Sequence, residues 1–121
     1  MSLASLYSLL SLKKAQLARL QACQGKLGTC QQSFYQYERY CTEPPLTPTT
    51  WHGNLANQFD NIRESGVLAS YRDIAGPQFS RAFSVLSAKI SSLQSEISSL
   101  QATIAYREAE LARQAAERRK G

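Results

Sequence analysis

From Phe79 onward the large side chains fall at strictly alternating intervals of four and three: Phe79, Phe83, Leu86, Ile90, Leu93, Ile97, Leu100, Ile104, Arg107, Leu111. An α-helix of 3.6 residues per turn gathers positions at this spacing onto one stripe. Ile90-Ser-Ser-Leu-Gln returns seven residues later as Ile97-Ser-Ser-Leu-Gln. β-Branched Ile alternating with Leu at this period is a coiled-coil heptad repeat, and such a stripe requires another helix to cover it. Arg107 is the one interruption before Leu111.

The first forty residues carry a second stripe: Leu3, Leu6, Leu10, Leu17, Leu20, Cys23, Leu27, Cys30, Phe34, Tyr37 and Cys41. Lys13 interrupts it, and a long Lys stem can lie along an apolar seam with its charge in water. Ser2 is a suitable N-cap. Gly25 and Gly28 weaken the middle by about 1 kcal/mol each without breaking the period. Pro44, Pro45 and Pro48 then end the helix, because proline cannot continue the hydrogen-bond ladder and forces its predecessor toward extended geometry. Thr49 or Thr50 can cap a new helix whose first part carries Leu55, Phe59, Ile62, Val67, Leu68, Tyr71 and Ile74. Gly76-Pro77 predicts a kink or short interruption, with Gly66 a weaker second point.

The chain is therefore expected to be all-α: an elongated antiparallel two-helix hairpin forming a single unit over 1–121. Helix one covers about 2–41, a Pro-rich connection 42–50, helix two about 51–117, and a basic tail 118–121. Helix one is about 60 Å long and helix two about 100 Å. On that arithmetic helix one reaches helix two only to about residue 91. Leu93, Ile97, Leu100, Ile104 and Leu111 would then lack an intrachain cover. Each is worth roughly 1.5–3 kcal/mol when fully buried, so the stripe beginning at Ile90 reads as a partner interface. The other arrangement folds helix two back at Gly76-Pro77 into a three-helix bundle that buries its own stripe.

A chain of 121 residues can bury a stripe but not a thick core around an enzyme cleft. No nucleophile–base pair, phosphate loop or metal-ligand pair is present, so catalytic, cofactor and metal sites are all expected to be absent. His52 reads as a turn residue. Cys23, Cys30 and Cys41 are too widely spaced for a disulfide framework. Cys23 and Cys30 lie about 10 Å apart along a helix, and the three read as free, buried thiols. Three of the charges behind the net +5 sit in the tail at Arg118, Arg119 and Lys120, and Phe34, Tyr35, Tyr37 and Tyr40 read as seam and flank. Nucleic acid is therefore not expected as a partner. Ser2 to Leu12 is too short and Ser-rich to span a bilayer, and no cleavable signal peptide is recognised.

Trp51-His52-Gly53 stands at the junction of the two helices. A Trp there can close the end of the seam, and a Gly two residues on permits close backbone approach. Tyr106-Arg107-Glu108-Ala109-Glu110 follows near the C-terminus, and its first and last residues share a helix face. With these motifs in this order the chain resembles the WXG superfamily of type VII secretion in Gram-positive and mycobacterial organisms. W-x-G there marks the turn of a helical hairpin, and Y-x-x-x-[D/E] follows it as an export motif. The opening Met1-Ser-Leu-Ala-Ser-Leu-Tyr, the stretch Trp51 to Asp60 and the Ile-Ser-Ser-Leu-Gln heptads are similar to the YwqH-like branch. Cysteine content and Gly76-Pro77 depart from that pattern.

The resemblance implies a non-enzymatic, cytoplasmic protein, exported through type VII secretion, that binds the helical N-terminal domain of an LXG toxin. A second small helical protein and the secretion machinery are further implied partners. On this reading Trp51 and Gly53 form the turn, Tyr106 and Glu110 the export motif, and Ile90, Leu93, Ile97, Leu100, Ile104 and Leu111 the partner interface. Two alternatives stand beside it: a homodimeric secreted WXG effector, and an antitoxin against a neighbouring toxin's catalytic domain.

Overall fold

A computed structural model describes residues 1–43 and 53–120. Apart from Met1, Ser2, Thr42 and Glu43, every described residue is helical, and no strand occurs among them. α1 runs Leu3–Tyr37 and tightens into a 3-10 turn at Glu38–Cys41. The second helical run begins with α2, Gly53–Ile62, passes a π-helical turn at Arg63–Leu68, and continues as α3, Ala69–Asp73. A second π turn at Ile74–Gln78 leads into α4, Phe79–Lys120. The fold is all-α, with two long helical runs of which the second is longer. The prolines of the connection, Trp51, His52 and Gly121 lie outside the described residues. The chain divides into two compact units, Met1–Cys23 with Leu86–Gly121, and Gln24–Val85.

In the first unit Ser2 is the N-cap: its Oγ accepts the Ser5 amide at 3.1 Å. Leu6 and Leu10 of α1 pack with Ile97 and Ile104 of α4, and Leu3, Leu17 and Leu100 close around them. Leu93 is only 1% exposed and Ile90 is buried. Polar ties fix the antiparallel register. Lys13 Nζ lies 2.9 Å from Glu96 Oε2, and the Tyr7 hydroxyl donates to Glu108. Arg107, the interruption in the heptad stripe, donates to the Met1 carbonyl at 2.8 Å.

These contacts correct the length argument. The stripe at Leu93, Ile97, Leu100 and Ile104 is covered from within the chain. Length alone sets the start of helix two opposite the end of helix one. Instead Arg63, not Gly53, meets the end of the first run, through a 3.2 Å hydrogen bond from its Nε to the Cys41 carbonyl. α2 thus precedes the paired stretch, and the start of α1 reaches residues 107 and 108.

The second unit is built around Phe34. Its ring lies 4.9 Å from Tyr71 and 5.3 Å, edge-on, from Phe79. The Tyr71 hydroxyl donates to the Phe34 carbonyl at 2.6 Å, and Arg72 pairs with Glu38 at 2.8 Å. Arg63 is buried, against Cys41, the Asp60 carboxylate at 3.5 Å and the Phe59 ring at 5.6 Å. A guanidinium at a helix C-terminus complements the partial negative charge of the terminal carbonyls.

Buried or half-buried positions of the second run in this unit fall at Ala56, Asp60, Arg63, Leu68, Tyr71, Ala75, Gly76, Phe79, Ala82 and Phe83. The five-residue step from Arg63 to Leu68 spans the first π turn. One extra residue in a turn rotates everything beyond it by about 100°. The uninterrupted period read from the sequence therefore fails here: Leu55, Phe59, Ile62, Val67 and Ile74 are exposed.

Gly76-Pro77 produces neither a break nor a fold-back. Asp73 and Phe79, on either side of the π turn, both keep right-handed helical dihedrals. Pro77 has no N–H to donate. The Phe79 N–H bonds to Ile74 and Gly76 instead of Ala75, the acceptor of an α turn. Gln31 Nε2 supplies a donor to the Ala75 carbonyl at 2.8 Å, on a residue with no exposed surface.

Leu93→Ala should lower unfolding free energy in urea by about 2–5 kcal/mol, whereas Leu111→Ala at a half-exposed site should change it by no more than about 0.5 kcal/mol. Gln31→Leu removes the donor to Ala75 and should cost about 1–3 kcal/mol by the same measurement.

Candidate functional site

Of the stripe expected to form the partner interface, Ile90, Leu93, Ile97 and Ile104 are buried and Leu100 is half-buried. Leu111 is 49% exposed. The bulk of that stripe is thus committed to the chain's own packing. Tyr106 and Glu110 do come together. Tyr106 is 68% exposed, and with Ala109, Glu110 and Arg113 it lines a surface concavity of about 270 Å³. Arg113 holds the Glu110 carboxylate at 2.7 Å.

Trp51 lies outside the described residues. Gly53 opens α2, and a Cβ built there would meet no atom within 4 Å, so the close backbone approach expected at this glycine does not occur among the described residues. The cysteines are free, but the expected burial is corrected: Cys23 and Cys30 are exposed and Cys41 is half-buried. Both exposed thiols fall beside the stripe that α1 buries, whose half-buried positions in this stretch are Gln24, Leu27, Gly28 and Gln31.

A second seam went unread in the sequence. Ala88, Ser91, Ser95, Ser98, Ala102, Ala105 and Ala109 repeat at intervals of three and four, continuing through Ala112 and Ala116, and all are exposed. Its members follow the Ile and Leu positions of the stripe alternately by one and two residues, an average of about 150° around the helix, and so occupy the outer face of α4. Its signal was present as a heptad of small residues, masked because a search for apolar periodicity passes over Ser and Ala. Beside it Leu9, Lys13, Ser92, Ser95, Glu96, Ser99 and Leu100 line a cleft of about 600 Å³. Another, of about 360 Å³, is lined by Gln16, Arg19, Leu20, Lys89 and Leu93.

The Glu96 carboxyl is held below its ordinary value, first by the bond from Lys13 and then by the positive charges of Lys13 and Lys89, against an opposing desolvation effect. The Tyr7 hydroxyl is pushed up, first because it donates to Glu108. Tyr71 is also raised, chiefly by desolvation. Among the described residues no group of His, Cys, Asp and Glu could hold a metal ion, and no helix is long and apolar enough to cross a membrane.

The family model described as YwqH-like matches residues 2–116. No curated protein and no solved structure matches the chain.

A carboxyl lowered in the folded state contributes stability above its unfolded pKa, lost as pH falls through the folded value. The Lys13–Glu96 contribution should therefore be present at neutral pH and fade as pH drops below the ordinary Glu range near 4.5. Glu96→Gln should flatten that part of the stability–pH curve. An unchanged acid limb in the variant would show that the pair has no such role.

Proposed function

Because the chain belongs to the YwqH-like family, whose model spans residues 2–116, we propose that it is a non-enzymatic helical partner protein of type VII secretion. It binds the helical N-terminal domain of an LXG toxin and helps present that toxin for export. The family match carries this reading, and the surface chemistry of α4 fits it. The Ile/Leu stripe stabilises the chain itself, which leaves the Ser/Ala seam as the long regular face turned to solvent. Small side chains let helix axes approach to the near end of the usual 8–10 Å range, so a partner helix can lie along this face. Tyr106 and Glu110, adjacent on α4, serve as the export motif, with the Trp51-His52-Gly53 motif as its second part.

The test is light scattering after size-exclusion chromatography, on the chain alone and mixed with the N-terminal domain of an LXG toxin. A defined hetero-complex is expected. A tight dimer indifferent to that domain would point to a homodimeric effector, and binding to the toxin's C-terminal domain alone would point to an antitoxin. Ser95→Arg with Ala102→Arg should weaken the complex by about 2 kcal/mol or more, roughly thirtyfold, while helicity is retained. Tyr106→Ala and Glu110→Ala should reduce export of the toxin and leave the complex intact; unchanged export would remove the motif assignment.

A further inference from the structure

The charge of this chain is divided unevenly. Nine of its fourteen Lys and Arg lie in the unit Met1–Cys23 with Leu86–Gly121, against four of its nine Asp and Glu. That unit carries the whole net charge of +5, and the unit Gln24–Val85 is balanced at five against five. Within the charged unit, the paired stretch before Arg107 holds Lys13, Lys14, Arg19 and Lys89, with Glu96 as its sole carboxylate. Lys13 takes Glu96. Among the described residues Arg19 makes no ion pair, and Lys89 has no carboxylate in contact, acting on Glu96 only through its charge.

Those two cations border the cleft of about 360 Å³. Its floor is Leu93, 1% exposed, and the half-buried Leu20, with the Gln16 amide beside them. An apolar floor under a cationic rim suits a side-chain pair that is apolar at the centre and anionic at the edge. An amphipathic helix presents that pair at i and i+3 or i+4, a Leu flanked by Glu.

We propose that the cleft at Arg19, Lys89, Leu20 and Leu93 docks an acidic amphipathic helix of the protein partner. This rests on the reading of the chain as a partner-binding protein and adds the chemistry by which the partner is recognised. A second copy is disfavoured as the occupant, because it would bring one +5 unit against another. A lipid surface is a poorer match, since flat headgroups cannot enter a concave floor; the tail of Arg118, Arg119 and Lys120 is where such a surface would be met.

The probe is a pair of synthetic helical peptides with the same Leu/Ala face, one carrying glutamates at the flanking positions and the other glutamines. Binding to the full chain is followed by fluorescence anisotropy at low and high salt. The glutamate peptide is expected to bind at least about tenfold more tightly, with the difference shrinking as salt rises. Arg19→Glu with Lys89→Glu should abolish that preference without loss of helicity by circular dichroism. Arg118→Gln, Arg119→Gln and Lys120→Gln together should leave it in place.

Equal binding of the two peptides would overturn the proposal, as would a preference lost only in the tail variant. So would pelleting with phosphatidylserine vesicles that depends on Arg19 and Lys89 while the acidic peptide fails to bind. If the toxin domain forms its complex equally with the wild type and the Arg19/Lys89 variant, the cleft assignment falls and the proposed function stands. If no toxin domain binds but the acidic peptide does, the function falls and the cleft stands.

Discussion

The structure depends on phase: the face each helical run must keep buried along its length. An α-helix drifts by about 20° per heptad relative to a strict seven-residue repeat, so a long buried stripe needs either supercoiling or a local correction. The two units meet this demand differently. In the first, α4 holds the heptad from Leu86 onward, and its Ile and Leu knobs close on Leu6 and Leu10. In the second, the apolar pattern is irregular and the phase is shifted by π turns at Arg63–Leu68 and Ile74–Gln78. The latter turn also accommodates Pro77, and its altered hydrogen bonding is matched by Gln31 from α1. A substitution at Gln31 therefore acts on the second helical run although it lies on the first.

Burying Arg63 is part of the same solution. Removing a guanidinium from water is expensive unless its donors are met. Here the group lies among a terminal carbonyl, a carboxylate one turn earlier and an aromatic face. Tyr71 makes a related contact three residues short of the end of α1, donating to the Phe34 carbonyl. The end of α1 is therefore tied down by polar side chains of the second run as well as by apolar packing. That explains why a hairpin can persist where Leu55, Phe59 and Ile62, the large apolar residues of α2, face outward.

How much was legible follows from these terms. The two helical runs were readable because leucine and isoleucine at 3.5-residue spacing admit little else. Ser2 as N-cap was readable because its chemistry is local. The register was not. It turns on where the first run ends against the second, and that depends on Arg63 meeting Cys41, a contact no periodicity encodes. The exposed residues of α2 were misjudged because one extra residue in a π turn changes the face of everything before it. At the candidate site, Tyr106 and Glu110 could be placed on one face from their spacing alone. The Ser/Ala seam was equally regular, but it was invisible to a reading that equated interaction surface with large apolar side chains.

The burial of the Ile/Leu stripe bears on how such a chain could recognise a partner. A stripe of Ile and Leu left bare would bind almost any amphipathic helix, since hydrophobic attraction is non-directional. Once the stripe is buried internally, the large apolar side chains that α4 leaves exposed are Val85, Tyr106 and Leu111, set apart from one another, and discrimination passes to shape and charge. A seam of Ser and Ala rewards close fit and rejects bulky side chains. A cationic rim with an apolar floor rewards carboxylates at the right spacing and, with the whole net charge gathered in one unit, repels its own kind. Both devices penalise wrong partners as well as favouring the right one, which is how specificity is obtained from a small surface. The internal seam and the external one are thus complementary: the first gives the helix its stability, and by doing so it leaves recognition to the second.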